Sequence, residues 1–414
     1  MNLLKTSFFT SISTAVTFLS GFVVTKVVAV KIGPVGMAYV GQFQNSIAIL
    51  AMFSTFAITS GVIKYLSTYK DEPLKQQQVV TTAISIIILC SLAVSLFVIP
   101  ASNFLSRASF HNSDFWLVYL LYGLFVTIIS LNTLFSSVLN GLKEIRILTT
   151  VNIIGSLTGI LFTVSFATLF GVKGVLIASN FTAFTVFCIN IYYSKKLKNI
   201  SWKPNFKKWD VPMVKLLLPF TLMGFVSGFA SPTMQLLVRD RIISKFSLTD
   251  AGCWQAVTRI SDYYLAFIIT VLGVYYLPRL SEINSKDELR KEILNGYKII
   301  LPVVGLLAAL IWIFKVWIVH ILFTADFLLM IPLFKYQLIG DFLKIGSWLL
   351  GFIMLSKALT KIFIISEIIF SSSFVVLSYL FMDSYGVIGA TYAFCLNYAL
   401  YWILMLLLMR KYIF

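Results

Sequence analysis

The stretch Gly171-Val172-Lys173-Gly174 recurs 215 residues further along the chain as Gly386-Val387-Ile388-Gly389. The same shift, without an insertion, aligns four pairs of residues nearer the N-terminus: Lys26 with Arg241, Tyr39 with Trp254, Ser46 with Ser261, and Lys64 with Arg279. A single pairing carries little weight in so apolar a chain, but a register kept over about 150 residues indicates a tandem duplication. The sequence therefore predicts two copies of one structural unit.

The composition places the chain in a membrane. Of its 414 residues, 59% are hydrophobic and 12% are charged, whereas soluble domains carry about 25% charged residues. Several uncharged stretches reach the roughly 20 residues that a helix needs to cross the hydrocarbon layer. Their apolarity is continuous rather than alternating, which excludes a transmembrane β-barrel. We therefore expect an all-α polytopic membrane protein.

Twelve membrane spans are predicted. They lie near residues 8–31, 40–65, 79–100, 116–139, 147–170, 174–193, 216–240, 252–277, 298–320, 333–356, 362–382 and 387–409. Each copy contains an even number of spans, so both copies enter the membrane from the same side and form parallel repeats. The predicted domains are an N-terminal six-helix lobe at 1–193, a basic cytoplasmic linker at 194–215 and a C-terminal six-helix lobe at 216–414.

The formal net charge of +17 reflects topology rather than nucleic-acid binding. If the N-terminus is cytoplasmic, 21 of the 33 Lys and Arg residues fall in cytoplasmic segments and six fall inside spans. The remaining six are assigned to exterior segments: Lys31, Arg107, Lys173, Arg239, Arg241 and Lys245. Positive residues are retained on the cytoplasmic side of membrane proteins. We therefore expect both termini to be cytoplasmic and nucleic acid not to be a partner.

Two pairs of charged residues lie inside predicted spans. Arg259 and Asp262 share one helical face, as do Asp341 and Lys344, because each pair is separated by three positions. The direction of their spans puts all four at a similar depth in the outer half of the membrane. One interpretation is that they neutralise each other as buried ion pairs. The other is that they line a water-filled cavity, where they contact an anionic substrate or change protonation.

Two further cations, Lys26 and Arg241, correspond to each other by the repeat and are left over once those acids and bases are matched. They are predicted to lie on opposite lobes in the same outer layer, where they suit a ligand with about two negative charges, such as a diphosphate. The first copy has uncharged residues at the positions that match the two pairs: Gln44, Ile47, Val126 and Ile129. No role is predicted for three other span lysines: Lys215, Lys315 and Lys335.

Four segments carry a family resemblance. They are Lys26-Val-Val-Ala-Val-Lys-Ile-Gly-Pro-Val-Gly36, Trp254-Gln-Ala-Val-Thr-Arg-Ile-Ser-Asp262 with Tyr264, Tyr276-Leu-Pro-Arg-Leu280, and Gln337-Leu-Ile-Gly-Asp-Phe-Leu-Lys344. In these segments, and over essentially its whole length, the chain resembles the Wzx-type flippases of bacterial polysaccharide assembly, in the branch of the lipid III and O-antigen flippases. That branch belongs to the multidrug/oligosaccharidyl-lipid/polysaccharide exporter superfamily.

The resemblance implies two six-helix bundles arranged as a V around a central cavity. It implies that an undecaprenyl-diphosphate-linked oligosaccharide crosses from the cytoplasmic to the periplasmic leaflet of the bacterial inner membrane by alternating access. By analogy, four residues are candidates for diphosphate or cavity contacts: Lys26, Arg241, Arg259 and Lys344. Asp262 and Asp341 are candidates for pairing or coupling.

Cofactors and partners are also implied by the resemblance. No cofactor is expected, and coupling to a proton gradient, a sodium gradient or the membrane potential stays open. The expected ligands are the lipid-linked oligosaccharide and membrane lipid. A polysaccharide polymerase and chain-length proteins are candidate partners of an expected monomer.

Three alternatives remain open: a drug exporter of the same fold, a membrane enzyme of polysaccharide assembly, and a scaffolding protein. An enzyme would usually bring a large exterior loop, whereas the longest predicted exterior loops, 101–115 and 241–251, are short. His111 and His320 are the only histidines and have no clustered companions in the sequence. We therefore predict no catalytic residue and no metal site, and the layer of charges argues against a scaffold.

Overall fold

The computed structural model describes residues 3–197, 200, 202, 210–283, 285–357 and 359–413. Every element assigned in these ranges is a helix. The first half contains α1 (Leu3–Thr55), α2 (Thr59–Thr68), α3 (Pro73–Val98), α4 (Ser102–Phe110), α5 (Trp116–Gly141) and α6 (Ile145–Ser194). The second half contains α7 (Val211–Lys245), α8 (Leu248–Val271), a π-helix (Leu272–Tyr276), α9 (Leu277–Glu282), α10 (Lys286–Leu322), a 3₁₀ helix (Ala325–Leu333), α11 (Phe334–Ser356), α12 (Thr360–Tyr385) and α13 (Ile388–Ile413).

The predicted all-α membrane class is confirmed. Within the described ranges, nine helices are long and apolar enough to cross a bilayer. Two of them, α1 and α6, are broken by non-helical glycines at Gly33 and Gly171, so each has room for two successive spans. The predicted count of twelve stays a prediction. Of the predicted basic linker, residues 198, 199, 201 and 203–209 lie outside the described residues.

The two Gly-Val-x-Gly stretches adopt matching backbone conformations. Gly171 has φ 57° and breaks α6, and its repeat mate Gly386 has φ 70° and ends α12. Positive φ with strongly negative ψ is accessible almost only to glycine. The duplicated sequence therefore makes the same turn between two helices in each half.

The second glycine of each stretch allows a close approach of backbone. A Cβ atom at Gly174 would overlap the carbonyl oxygen of Phe166, and one at Gly389 would overlap that of Phe381. Phe166 and Phe381 are themselves 215 positions apart, the same spacing as the glycines. The duplication is therefore visible in individual contacts.

The second predicted span is interrupted at the same place in both copies. In the first copy α1 ends at Thr55, and Phe56 and Ala57 follow with φ 51° and 47°. In the second copy α8 gives way to the π-helix Leu272–Tyr276, and Leu272 is the repeat mate of Ala57. Such breaks in a regular helix are frequent at functional sites.

The helices group into two compact units. The first consists of residues 1–32 and 42–232, and the second of residues 33–41 and 233–414. The first has a core that includes Val62, Leu66 and Val138, all fully buried. The second has a core that includes Ile345 and Leu349 of α11. The predicted lobes were defined by the sequence repeat, whereas these units are defined by compactness. The lobe boundaries therefore remain a prediction.

Local sequence explains where α8, which carries two of the predicted charges, begins. The Ser247 hydroxyl accepts a hydrogen bond from the Asp250 backbone N–H at 3.0 Å and donates one to the Asp250 carboxylate at 2.6 Å. A serine N-cap satisfies one of the free N–H groups of the first turn, and an acid in that turn interacts favourably with the positive end of the helix dipole. This cap fixes the register of Arg259 and Asp262 relative to the end of the helix.

Candidate functional site

Asp341 is the most deeply buried member of the predicted charged set. Its side chain is inaccessible to solvent, and it accepts hydrogen bonds from Tyr264 Oη at 2.8 Å and from Gln337 Nε2 at 3.3 Å. Ser261 also forms a hydrogen bond with this carboxylate. Tyr264 and Ser261 belong to α8, so α8 and α11 are joined through Asp341.

Asp262 has a different environment. It is exposed to water, yet protein atoms surround it on most sides, as is expected for a side chain at the wall of a recess. Its carboxylate interacts electrostatically with three cations, Lys344 most strongly and then Arg259 and Arg239. Charged side chains inside membrane proteins face the bundle interior or a water-filled cavity. Asp262 therefore lies at a water-accessible site surrounded by cations in the second unit.

Arg239, predicted to lie in an exterior segment, is buried within the second unit. Its side chain is only 1% exposed. The guanidinium donates a hydrogen bond to Gln255 Oε1 and lies 5.4 Å from the centre of the Trp254 ring. Burial of a guanidinium requires such partners, because desolvation of an unpaired charge costs several kcal/mol. Arg239 thus belongs to the charged cluster of the second unit.

A glycine of α1 makes room for this arginine. A Cβ atom at Gly41 would overlap the Gln255 side-chain oxygen and crowd the Arg239 guanidinium. Gly252 is used in the same way, since its Cβ atom would overlap the carbonyl oxygen of Pro34. Residues 33–41 therefore pack directly on α8, beside the Arg239–Gln255 pair.

Lys344 completes the cluster. It is half-buried, and its Nζ atom lies 5.1 Å from the centre of the Trp348 ring and 5.8 Å from that of Tyr398. Aromatic faces stabilise a cation that has given up part of its hydration. Arg259, also half-buried, lies 6.0 Å from the Tyr263 ring. Lys344 and Arg259 are thus held beside Asp262 without being fully desolvated.

Arg241 is not the uncompensated cation that the sequence suggested. Its guanidinium forms an ion pair of 2.8 Å with Asp383 of α12, which also binds Lys245 at 2.5 Å. The prediction that Arg241 has no acidic partner is wrong, because it matched only acids within the predicted spans. Asp383 lies just beyond the predicted span 362–382. Two cations therefore share the Asp383 carboxylate.

Lys26 lies in the first unit, on α1, with an exposed side chain. Its pairing with Arg241 across the two lobes remains a prediction. Of the predicted site residues, the structure therefore brings four into one cluster: Arg259, Asp262, Asp341 and Lys344.

The first unit contains an uncharged counterpart of this cluster. Ser46, the repeat mate of Ser261, accepts a hydrogen bond from Tyr119 Oη at 2.8 Å, and Tyr119 also bonds to Ser109 at 2.7 Å. Tyr119 belongs to α5, the repeat counterpart of α11. The same serine therefore ties the same two spans together in each copy, with hydroxyl partners in the first and a carboxylate in the second.

The two sequence interpretations apply to different acids. Asp341 is buried as the structural interpretation requires, although its closest partners are hydroxyl and amide groups. Asp262 is water-accessible and surrounded by cations, as the functional interpretation requires. No sequence signal separates Arg239 from Arg241, but two positions on a helix point roughly 200° apart, so one faces inward and the other does not.

Comparison with known proteins shows the family. The family described as "Polysaccharide biosynthesis protein" matches residues 3–284. The chain belongs to this family. Within the family, it is 29% identical over 405 residues to the Lipid III flippase of Escherichia coli (strain K12), covering 97% of this chain and 96% of that protein. The Lipid III flippase of Shigella flexneri matches to the same extent.

Solved structures support the fold of this family member. An inward-facing multidrug resistance MATE family transporter of the MOP superfamily matches with a TM-score of 0.80 at 15% identity, covering 96% of this chain and 94% of that one. An outward-facing structure matches with a TM-score of 0.72 at 15% identity, covering 97% and 95%. At this identity the likeness shows a shared fold.

Proposed function

We propose that the protein is a flippase that moves an undecaprenyl-diphosphate-linked oligosaccharide from the cytoplasmic to the periplasmic leaflet of the bacterial inner membrane. The observation that carries the proposal is the position of Asp262, a water-accessible carboxylate among three cations inside a membrane-spanning unit. The full-length match to proteins named Lipid III flippase supports this substrate class.

The chemistry of the cluster suits an anionic head group. Arg239, Arg259 and Lys344 provide three positive charges beside the Asp262 and Asp341 carboxylates. A guanidinium binds two phosphate oxygens at once through its planar fork, whereas a lysine acts as a point charge. A diphosphate could therefore replace part of the interaction that the cations now make with Asp262.

We assign the diphosphate contacts to Lys26, Arg241, Arg259 and Lys344, and pairing or coupling to Asp262 and Asp341. Arg239 is added as a positioning residue, because it is buried behind Asp262 and held by Gln255. In this assignment Asp262 releases cations to the substrate and takes them back after transport. Asp341 fixes α8 against α11 throughout the cycle.

Coupling to an ion gradient is proposed to act through Asp262. A proton or a sodium ion that binds Asp262 would free the neighbouring cations for the diphosphate, which would link ion movement to substrate binding. Transport by reconstituted protein under an imposed proton gradient, an imposed sodium gradient or a membrane potential separates the three sources.

Transport rather than catalysis is supported by the relatives, which are named as flippases and not as enzymes. A polysaccharide polymerase and chain-length proteins, which would use the glycan after it has crossed the membrane, remain candidate partners. A monomer is expected, since one chain carries both copies of the repeat.

A flippase-null strain tests the proposal. Expression of the protein should restore surface glycan, and reconstituted protein should move a fluorescent lipid-diphosphate oligosaccharide between leaflets. An Asp262→Asn, Lys344→Gln double variant of normal abundance should do neither. The drug exporter, which the MATE-like fold allows, predicts the opposite: efflux of cationic dyes and no glycan restoration.

A further inference from the structure

A lipid-facing groove lies between α10 and α11, away from the charged cluster. It encloses a cavity of about 430 Å³, a size typical of small-molecule sites. One wall is built of small residues of α10, Gly305, Ala308 and Ala309, and the opposite wall of Leu338, Ile339 and Phe342 of α11. These walls are apolar and wide enough to hold a hydrocarbon chain.

The groove has a cationic end. Lys335, at the start of α11, is the one charged residue among the described residues that line the groove, and it is exposed. Lys315 lies nearby on α10, where its Nζ atom is 3.1 Å from the centre of the ring of Trp312, another lining residue. An apolar groove with Lys335 in its lining and Lys315 beside Trp312 is complementary to an amphiphile with an anionic head.

The surroundings of the groove are apolar as well. Leu306, Ile313 and Trp317 of α10 are all exposed, so this helix presents its outer surface to the membrane. Exposed apolar side chains on a membrane-spanning helix are in contact with lipid chains. A lipid can therefore enter the groove from the side.

The groove is separate from the proposed transport site. Lys335 and Lys344 are nine residues apart on α11, which corresponds to about 13 Å along the helix. None of the groove's lining residues belongs to the charged cluster. A phosphate bound at Lys335 is therefore distinct from one bound among Arg259, Asp262 and Lys344.

We propose that this groove binds one chain of an anionic glycerophospholipid of the surrounding membrane, with the lipid phosphate on Lys335 and Lys315. Charge complementarity favours this occupant over a zwitterionic lipid. The separation from the cluster favours it over the tail of a transported substrate. Phe342 lines the groove and follows Asp341 of the charged cluster in the sequence of α11.

Tryptophan quenching by brominated lipids tests the proposal. The purified protein is placed in nanodiscs that contain phosphatidylglycerol or phosphatidylcholine brominated on the acyl chains. The signal of Trp312 is the difference between the wild type and Trp312→Phe. Brominated phosphatidylglycerol should quench this signal at roughly 25-fold lower mole fraction than phosphatidylcholine, the product of the two lysine contributions. Each lysine should contribute about fivefold to the preference, as a charge beside an anionic surface does.

Matched variants identify the groove. Lys335→Gln and Lys315→Gln should each reduce the preference, whereas Lys173→Gln should leave it unchanged. Ala309→Leu should fill the groove and abolish the selective quenching, while Leu306→Phe, on the exposed face of the same helix, should not. The lysine variants keep the test decisive if the groove-filling variant folds poorly.

Two results would overturn the proposal. Equal quenching by the two lipids would show that Trp312 meets only bulk lipid. Displacement of brominated phosphatidylglycerol by an equimolar polyprenyl phosphate would assign the groove to the substrate tail. Loss of glycan transport in the cluster variants affects neither readout, so the two proposals fail independently.

Discussion

The hydroxyl of Tyr264 donates a hydrogen bond of 2.8 Å to Oδ2 of Asp341 and joins α8 to α11 in the interior of the second unit. The first unit joins its corresponding spans through Tyr119 and Ser46. One carboxylate in place of a neutral hydroxyl network is the main chemical difference between the two copies at this point. The duplicated scaffold is thus kept, while its second copy has acquired charge.

Replacement of Tyr264 by Phe should destabilise the protein by about 1–3 kcal/mol, because it removes a donor from a buried carboxylate. Tyr275→Phe, at an exposed position, is the control. Thermal unfolding in detergent measures both. A Tyr264→Phe variant that melts with the wild type would show that the bond contributes nothing to stability.

Cysteine accessibility should distinguish the two acids. In a background without Cys90, Cys188, Cys253 and Cys395, Asp262→Cys should react with a membrane-impermeant thiol reagent and Asp341→Cys should not, since only Asp262 is water-accessible. Reaction rates followed by mass spectrometry give the comparison. Protection of Asp262→Cys by added lipid-linked oligosaccharide would place the substrate at this residue. If neither cysteine reacts, Asp262 does not line a water-accessible recess.

Arg239→Gln should abolish glycan export at normal membrane abundance, because Asp262 loses one of three neighbouring cations. Arg239→Lys should retain part of the activity, since the charge remains but the fork that binds Gln255 is lost. Lys215→Gln, an exposed lysine of the same helix for which no role is predicted, is the matched control. Complementation scored beside immunoblots decides this, and wild-type export by Arg239→Gln would exclude the residue.

Gly386→Ala and Gly171→Ala should each destabilise the protein by about 1–3 kcal/mol, because alanine is strained at their backbone angles. Gly351→Ala provides the control, as its φ is not positive and a Cβ atom there would meet no neighbour. Melting temperatures of fluorescent-protein fusions report the effect. Equal melting of all three variants would contradict the strain argument.

Lys26→Ala should severely reduce export, and Lys26→Arg should be milder because the positive charge is kept. Arg241→Ala should change stability little, since its partner Asp383 is an exposed acid and water screens such pairs. Export by the Arg241→Ala and Asp383→Ala variants separates substrate binding from pairing. Loss of export in the Arg241→Ala variant alone would indicate that Arg241 contacts the substrate. Equal loss of export in both variants would indicate that export requires the ion pair.

The sequence by itself determined the membrane class, the duplication and the presence of two charged pairs at one depth. Continuous apolarity leaves only helices as spanning elements, and the spacing of Gly171 and Gly386 predicts the repeat that their backbone angles reproduce. Helical periodicity also placed Arg259 with Asp262 and Asp341 with Lys344, because neighbours three positions apart share a face whatever the rest of the chain does.

Only the tertiary structure decided which of these charges meets which. Asp383 reaches Arg241 from 142 residues away, and Arg239 is buried because Trp254 and Gln255 of the next helix lie on its side of α7. Asp341 and Asp262 belong to similarly spaced pairs in the sequence. Asp341 is nevertheless buried beneath Tyr264, whereas Asp262 is accessible to water. Periodicity fixes the face of a helix on which a residue lies, whereas the neighbour of that face depends on how separate helices pack.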